Sequence, residues 1–243
     1  GYTAENVVVG VAGKIDPKIV KKEIEKHFSK IRTGKRPIAK KMVEKQKEPQ
    51  MFFKEKKTDQ TQLVVGVRTF DMFHKDRYVL SVLGTILGSG MSSRLFIEVR
   101  ERRGLAYSVH TDVEYYTDAG YLATQAGVEH ENLEKALEVI LAEYKKLTTE
   151  LVSKEELKKA KDHIKGKMAL AFEGSDDIVG YLTTQETLRH EILLPKEAAK
   201  KIDAVTAEDI QRLAKSIFQD KKLNMAIISP KVNQKKLQNL LHL

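Results

Sequence analysis

Arg100 and Tyr107 stand seven residues apart, on either side of a glycine, in the stretch Gly88–Val109 (GSGMSSRLFIEVRERRGLAYSV). A guanidinium and a phenol are both strong hydrogen-bond donors. Held at one corner of the chain, they could grip a peptide carbonyl or a developing oxyanion. The residues around them say what must hold them. An amphipathic run that starts near Arg77 closes at Val99 and Arg100. Gly104 then stops it, because glycine alone enters the left-handed region without a Cβ clash. Leu105–Val109 reads as the strand that follows, so Arg100 falls in the last helical turn and Tyr107 just past the corner. Spacing alone leaves two plainer readings open. An arginine at a helix C-terminus complements the dipole, which Arg102 and Arg103 could do equally well, and Tyr107 could be an ordinary half-buried strand residue.

Other candidate chemistry is sparse. The seven histidines are His27, His74, His110, His130, His163, His190 and His242, and no two stand at the spacing of a shared metal site. His130-Glu131-Asn132-Leu133-Glu134 imitates a zinc helix. A zincin needs histidine at the fifth position so that two imidazoles meet one metal, and Glu134 fills it here, so His130 is expected to be a solvated helix start. With no cysteine in the chain, disulfides, thiolate metal sites and a cysteine nucleophile are excluded. Gly88-Ser89-Gly90 followed by Ser92 and Ser93 could cradle a phosphate. It lacks a P-loop lysine and follows a helix instead of a strand, so a break between two helices, with Ser92 or Ser93 capping the second, is expected. Arg94 is expected to be structural, pairing a carboxylate such as Glu98 one turn on.

Gly90, Met91, Ser92, Ser93, Arg94, Leu95 and Phe96, then Val99, Arg100 and Glu101, then Gly104, Leu105, Ala106, Tyr107 and Ser108 form one long pattern. It strongly resembles the C-terminal homologous domain of the pitrilysin/insulinase (M16) family of zinc metallopeptidases, which includes the mitochondrial processing peptidases. The resemblance covers nearly the whole chain. It implies an α+β fold, an antiparallel sheet packed against several helices, as in LuxS and the mitochondrial processing peptidase. It also implies that Arg100 and Tyr107 reach across a large cavity towards a zinc site in the other half and bind the substrate backbone. Gly88, Gly90, Ser92, Ser93, Arg94 and Gly104 would line that cavity or support it. The family's zinc motif, an inverted His-x-x-Glu-His on a helix, does not occur here. This chain is therefore expected to bind no cofactor, to hold no catalytic residue of its own and to be inactive alone. Zinc is expected in a partner half, either an N-terminal domain or a separate subunit. The implied function is the non-metal half of a zinc metalloendopeptidase, closing the chamber and binding peptide substrate. The alternative is a catalytically inactive family member that binds peptides or scaffolds an assembly; the Arg100/Tyr107 pair favours the first, since a scaffold has no need of it.

The elements that position these residues follow from pattern. Val7–Gly13 (VVVGVAG) reads as a short apolar strand, and Asp16 with Pro17 opens a helix carrying Ile19, Val20, Ile24 and Phe28. Leu223–Ser229 (LNMAIIS) repeats the plan, with Pro230 and Asn233 leading into a helix with Leu237, Leu240 and Leu241. In the resembled family each subunit has two related domains that end this way. That implies residues 1–31 as the tail of a preceding homologous domain, 32–50 as a basic linker containing Pro37 and Pro49, and 51–243 as the C-terminal domain. An orphan strand–helix unit leaves an unpaired edge, open to swapping or homodimerisation. Within residues 51–243, strands are expected over Met51–Lys56, Gln62–Thr69 (apolar enough to be central), Ala106–Tyr115 and Gly120–Val128, the last two joined as a hairpin. Helices are expected over Asn132–Leu147, Glu155–Phe172, Asp176–Ile192, Pro195–Ile202 and Ala207–Phe218, with capping boxes Ser153/Glu156 and Thr206/Asp209.

Composition bounds the rest. A chain of 243 residues that is 41% hydrophobic can bury a sizeable core. The net charge of +9 owes much to Lys35–Lys57, read as a solvated linker. Charge alone would give only salt-sensitive, sequence-blind binding to nucleic acid, and there is no tryptophan and no RNA-binding motif. No apolar run approaches the ~20 residues of a membrane span, so a soluble protein is expected, its compartment unassigned. The chain starts with Gly1 and not Met, as a processed or excised fragment would, so a missing signal peptide says little about the parent.

Overall fold

Gln62–Thr69, expected from the sequence to be apolar enough for a central strand, forms the centre of the sheet. The computed structural model describes residues 2–35 and 40–243; Gly1 and Pro37 lie outside them. The strands are β1 (Gln50–Glu55), β2 (Thr61–Arg68), β3 (Ala106–Tyr115), β4 (Gly120–Val128) and β5 (Leu223–Ser229), in the order β1-β5-β2-β4-β3. The β2–β4, β2–β5 and β3–β4 pairs are antiparallel, as expected. The β1–β5 pair is parallel, which departs from a purely antiparallel sheet. The reason is connectivity: parallel neighbours need a long crossover, and here everything from β2 to α7 lies between the two strands.

The helices are α1 (Pro17–Phe28), α2 (Arg77–Gly88), α3 (Leu133–Thr149), α4 (Lys154–Ala171), α5 (Ser175–Arg189), α6 (Pro195–Asp203), α7 (Ala207–Ile217) and α8 (Gln234–Leu240). Alternate residues of the strands, among them Leu63, Val65 and Val67 of β2 and Leu223, Met225 and Ile227 of β5, are sealed beneath α2, α3 and α7. Leu83, Ile140 and Ile210 meet them there without solvent contact. Tyr144 on α3 is fully buried. Its hydroxyl donates to the Val65 carbonyl (3.1 Å) and pairs with Thr124 (2.7 Å), so the polar end of a large apolar residue is satisfied inside the core.

By contact, the chain divides into a smaller unit, residues 1–41 with 165–200, and a larger one, residues 42–164 with 201–243, which holds the sheet and its core. In the smaller unit Asp16 caps α1 by accepting from Lys18 N–H (2.8 Å), as its sequence predicts. Gln185 is buried, donating to the Leu193 carbonyl and accepting from the Leu193 N–H, both at 3.1 Å. Val7–Gly13 is not a strand. It has no ladder partner among the described residues, and Val8, Val9 and Val11 are exposed. Apolar composition alone cannot make a strand, because its backbone donors and acceptors need a neighbouring chain.

The second half of the expected linker is not a free solvated segment. Met42 N–H donates to Asp118 (2.7 Å), Gln46 donates to the Leu223 carbonyl (2.8 Å), and Arg68 at the end of β2 pairs with Glu44 (2.7 Å) and Gln46. These polar side chains, which read as solubility in the sequence, tie the approach to β1 onto the end of the sheet.

Candidate functional site

The corner that carries Arg100 begins where α2 ends. A Cβ on Gly88 would lie 2.3–2.6 Å from Thr111, including 2.5 Å from its backbone nitrogen, so a bare glycine lets α2 touch β3. The chain then turns through Ser89–Ser93, with Gly90 at φ +103° and Met91 exposed at the tip. Ser93 closes this turn. Its hydroxyl donates to the Gly90 carbonyl (2.7 Å), so it does not cap the next helix as expected, and no serine hydroxyl accepts there.

Helical residues resume at Arg94, but Phe96–Glu101 form a π-helical turn, in which Arg102 N–H reaches back five residues to the Ile97 carbonyl (2.9 Å). Gly104, at φ +60°, closes it. Gly104 N–H returns to the Arg100 carbonyl (3.0 Å) and Leu105 N–H to the Val99 carbonyl (2.9 Å). Past the corner, Ala106 faces Val128 while Ser108 faces Gly127, so Tyr107 is the extra residue of a β-bulge. A π-turn and a β-bulge each insert one residue into a regular ladder and re-aim a side chain. Here the two irregularities carry Arg100 and Tyr107.

They bring the pair together. The Arg100 guanidinium lies 4.9 Å from the centroid of Phe96 and 5.9 Å from that of Tyr107. Tyr107 is 75% exposed, where an ordinary half-buried strand tyrosine would be partly covered, and its hydroxyl has no partner among the described residues. The structure also separates three arginines that are equivalent in sequence. Arg102 (2.5 Å) and Arg103 both bind Glu98, whose carboxyl is held below its usual range, first by the hydrogen bond from Arg103. Arg100 has no carboxylate partner among the described residues.

Arg94 does not pair with Glu98. Its guanidinium grips Glu156 of α4 through two bonds (2.6 and 2.8 Å), with Glu143 of α3 at 3.8 Å. Burial works against the charge, but the Glu156 bond and the neighbouring carboxylates outweigh it and raise the pKa. The capping box at α4 is consequently only half formed. Ser153 accepts from Glu156 N–H (3.1 Å), while the Glu156 carboxylate is committed to Arg94.

His130 is not merely solvated. Its Nε2 donates to the Thr58 carbonyl (3.0 Å), which leaves Nδ1 to accept from the Thr61 hydroxyl (2.8 Å). It pins the start of β2. Among the described residues no three His, Cys, Asp or Glu side chains gather as metal ligands.

Two concavities were not visible in sequence. A polar cleft of ≈ 250 Å³ lies beside the Ser89–Ser93 turn, lined by Ser89, Ser92, Ser93, Glu156, Lys159 and His163. On the sheet face away from α2 and α3 a trough of ≈ 650 Å³ runs over Phe52, Val64, Gly66, Ala123, Gln125 and Ala226. Ladder pairing puts Phe52, Ala226, Val64, Gln125 and His110 in one row across all five strands. The signal in sequence is small residues at alternate positions between core residues, which cannot be assembled until strand order is known.

Comparison with known proteins decides what this corner belongs to. Residues 2–164 match the family model described as the peptidase M16 inactive domain. The chain belongs to the peptidase M16 family. The M16 domain is 31% identical over 234 residues to the uncharacterized zinc protease YmxG of Bacillus subtilis, covering 96% of this chain and 56% of that protein. It is 30% identical over 245 residues to the uncharacterized zinc protease ML0855 of Mycobacterium leprae, covering 100% and 55%. The chain thus spans about half the length of the curated relatives it matches. In fold it is similar to the crystal structure of a peptidase M16 inactive domain from Pseudomonas fluorescens (TM-score 0.84, 21% identity, 95% of this chain and 55% of that one). It is also similar to a protease from Helicobacter pylori (TM-score 0.79, 22% identity, 90% and 54%). Among the described residues of the M16 domain no helix is long and apolar enough to cross a membrane.

Proposed function

We propose that this M16 domain is the non-metal half of a zinc metalloendopeptidase, and that it closes the catalytic chamber and holds the peptide backbone through Arg100 and Tyr107. The observation that carries the reading is the corner itself. Arg100 is exposed, has no carboxylate partner among the described residues and lies beside an exposed phenol that has no partner among them, while Glu98 pairs with the two neighbouring arginines. A guanidinium and a phenolic hydroxyl without partners among the described residues offer several donors to an acyl oxygen and no carboxylate that would repel it.

In this reading the metal belongs to the other half, which bears the His-x-x-Glu-His motif and supplies the activated water. This chain binds, orients and excludes solvent. Positioning is its contribution: a peptide held at two donors reaches the reacting centre already aligned. The domain boundaries follow the same reading, with residues 1–31 as the tail of a preceding homologous domain, 32–50 as linker and 51–243 as the C-terminal domain. The unpartnered Val7–Gly13 and the greater length of the relatives support it.

The test is cleavage of quenched fluorescent casein with zinc present, by this chain alone and by the chain combined with the zinc-bearing half. Activity is expected only in the combination. Tyr107→Phe in the active combination is expected to lower the rate by about 10²–10³ if the phenol donates to the oxyanion, and to raise KM with kcat intact if it only binds substrate. Unchanged kcat and KM would remove Tyr107 from the site. Association of the halves without cleavage would point to a binding or scaffold role.

A further inference from the structure

The Arg100 guanidinium has no carboxylate to orient it among the described residues, yet it lies over the Phe96 ring at 4.9 Å, closer than over Tyr107 at 5.9 Å. Phe96 opens the π-turn that Arg100 nearly closes, and the two are four residues apart, the spacing at which side chains of successive turns meet. Phe96 is itself partly buried, with Leu95 and Val99 on either side of it sealed in the core, so its backbone is anchored while Arg100 is exposed. A cation held against an aromatic face behaves differently from one held by a carboxylate. The ring attracts the flat face of the guanidinium and leaves its in-plane N–H groups unspent. A carboxylate would instead consume them, as Glu98 does for Arg102 and Arg103.

We infer that Phe96 is a positioning residue for Arg100: its ring holds the guanidinium flat at the Tyr107 corner, and the N–H edge remains free for the substrate. The inference rests on the reading that Arg100 binds substrate. Phe96 would touch no reacting atom and would act only through Arg100. Its mark is therefore a loss of affinity that an aromatic replacement restores and that vanishes when Arg100 is absent.

The experiment uses the intact, zinc-loaded peptidase with both halves present, and quenched fluorescent casein as probe. Arg100→Ala tests the underlying reading and is expected to raise KM. Phe96→Leu, which keeps an apolar side chain of similar size, is expected to raise KM by about two- to fivefold with little change in kcat, the range an exposed cation–π contact supplies. Phe96→Tyr is expected to restore wild-type KM. In the Arg100→Ala background, Phe96→Leu is expected to have no further effect. If Arg100→Ala leaves KM and kcat unchanged, the substrate-binding reading fails, and the role of Phe96 with it. If Arg100→Ala raises KM but Phe96→Leu does not, Arg100 stands and the positioning role is overturned. An equal loss from Phe96→Leu with and without Arg100 would mean ordinary packing and overturn it too. Should Phe96→Leu lower the melting temperature, Phe96→Met gives the same comparison with a more adaptable side chain.

Discussion

Arg94 offers the sharpest test of how this corner is built, because helical spacing and the folded chain assign it different partners. Spacing pairs it with Glu98; the structure pairs it with Glu156, and with Glu143 beyond. Its side chain is 16% exposed, Glu156 27% and Glu143 5%. Replacing Arg94 with Met keeps most of the apolar stem and deletes two charge-assisted hydrogen bonds. It leaves two carboxylates near one another, one of them buried. Breaking a buried pair from one side costs about 3–5 kcal/mol. Two features lower that here: Glu156 reaches solvent, and Lys146 still holds Glu143 at 2.6 Å. The expected loss for Arg94→Met is therefore about 2–3 kcal/mol. Urea unfolding of the single and double variants measures it, with the denaturant slope checked for constancy. A cycle of Arg94→Met with Glu156→Gln should show a coupling of about 1–3 kcal/mol, and one with Glu98→Gln less than about 0.5 kcal/mol. A strong coupling to Glu98, or a loss below about 0.5 kcal/mol for Arg94→Met, would refute this account of the corner.

Two glycines should respond in opposite directions. Gly88→Ala gains about 1 kcal/mol of helix propensity but drives a methyl into the Thr111 backbone, at a cost of about 1–3 kcal/mol or more, so the melting temperature should fall. Gly166→Ala in α4 meets nothing within 4 Å and should raise it, by up to about 1 kcal/mol of stability. Asp76 holds Arg212 of α7 through two bonds (3.0 and 2.9 Å), and that bond is the main cause of its depressed pKa. A depressed carboxyl contributes stability that is complete above its unfolded value, about 3.9, and is lost as pH falls through the lower folded value. Asp76→Asn should therefore destabilise the protein near neutral pH and flatten the fall in melting temperature below about pH 4; an unchanged acid limb would show that Asp209 and Glu98, also depressed, account for it.

Much of the fold was legible because it depends on local rules. Period-2 alternation placed β3 over Ala106–Tyr115 and β4 over Gly120–Val128, and the 3.6-residue period placed α3 within two residues at either end. Caps at Asp16 and Thr206 were readable because each is a side chain bonding to backbone two or three residues away. The long motif from Gly90 to Ser108 carried the family, and the left-handed Gly104 was evident from its place at a helix end.

What tertiary structure alone decided involves partners far along the chain, or residues that break a local period. Val7–Gly13 has the composition of a strand, but hydrogen-bonding neighbours are not encoded in it. The β1–β5 pair could run parallel only once the sheet order was set. Nothing in RERRG says which arginine is free; Glu98, folded back against Arg102 and Arg103, makes that choice and leaves Arg100. A π-turn and a β-bulge are invisible to periodicity because each is a departure from it. The residue types at the corner were therefore set by the sequence, and their geometry by the packing that fixes where each extra residue falls.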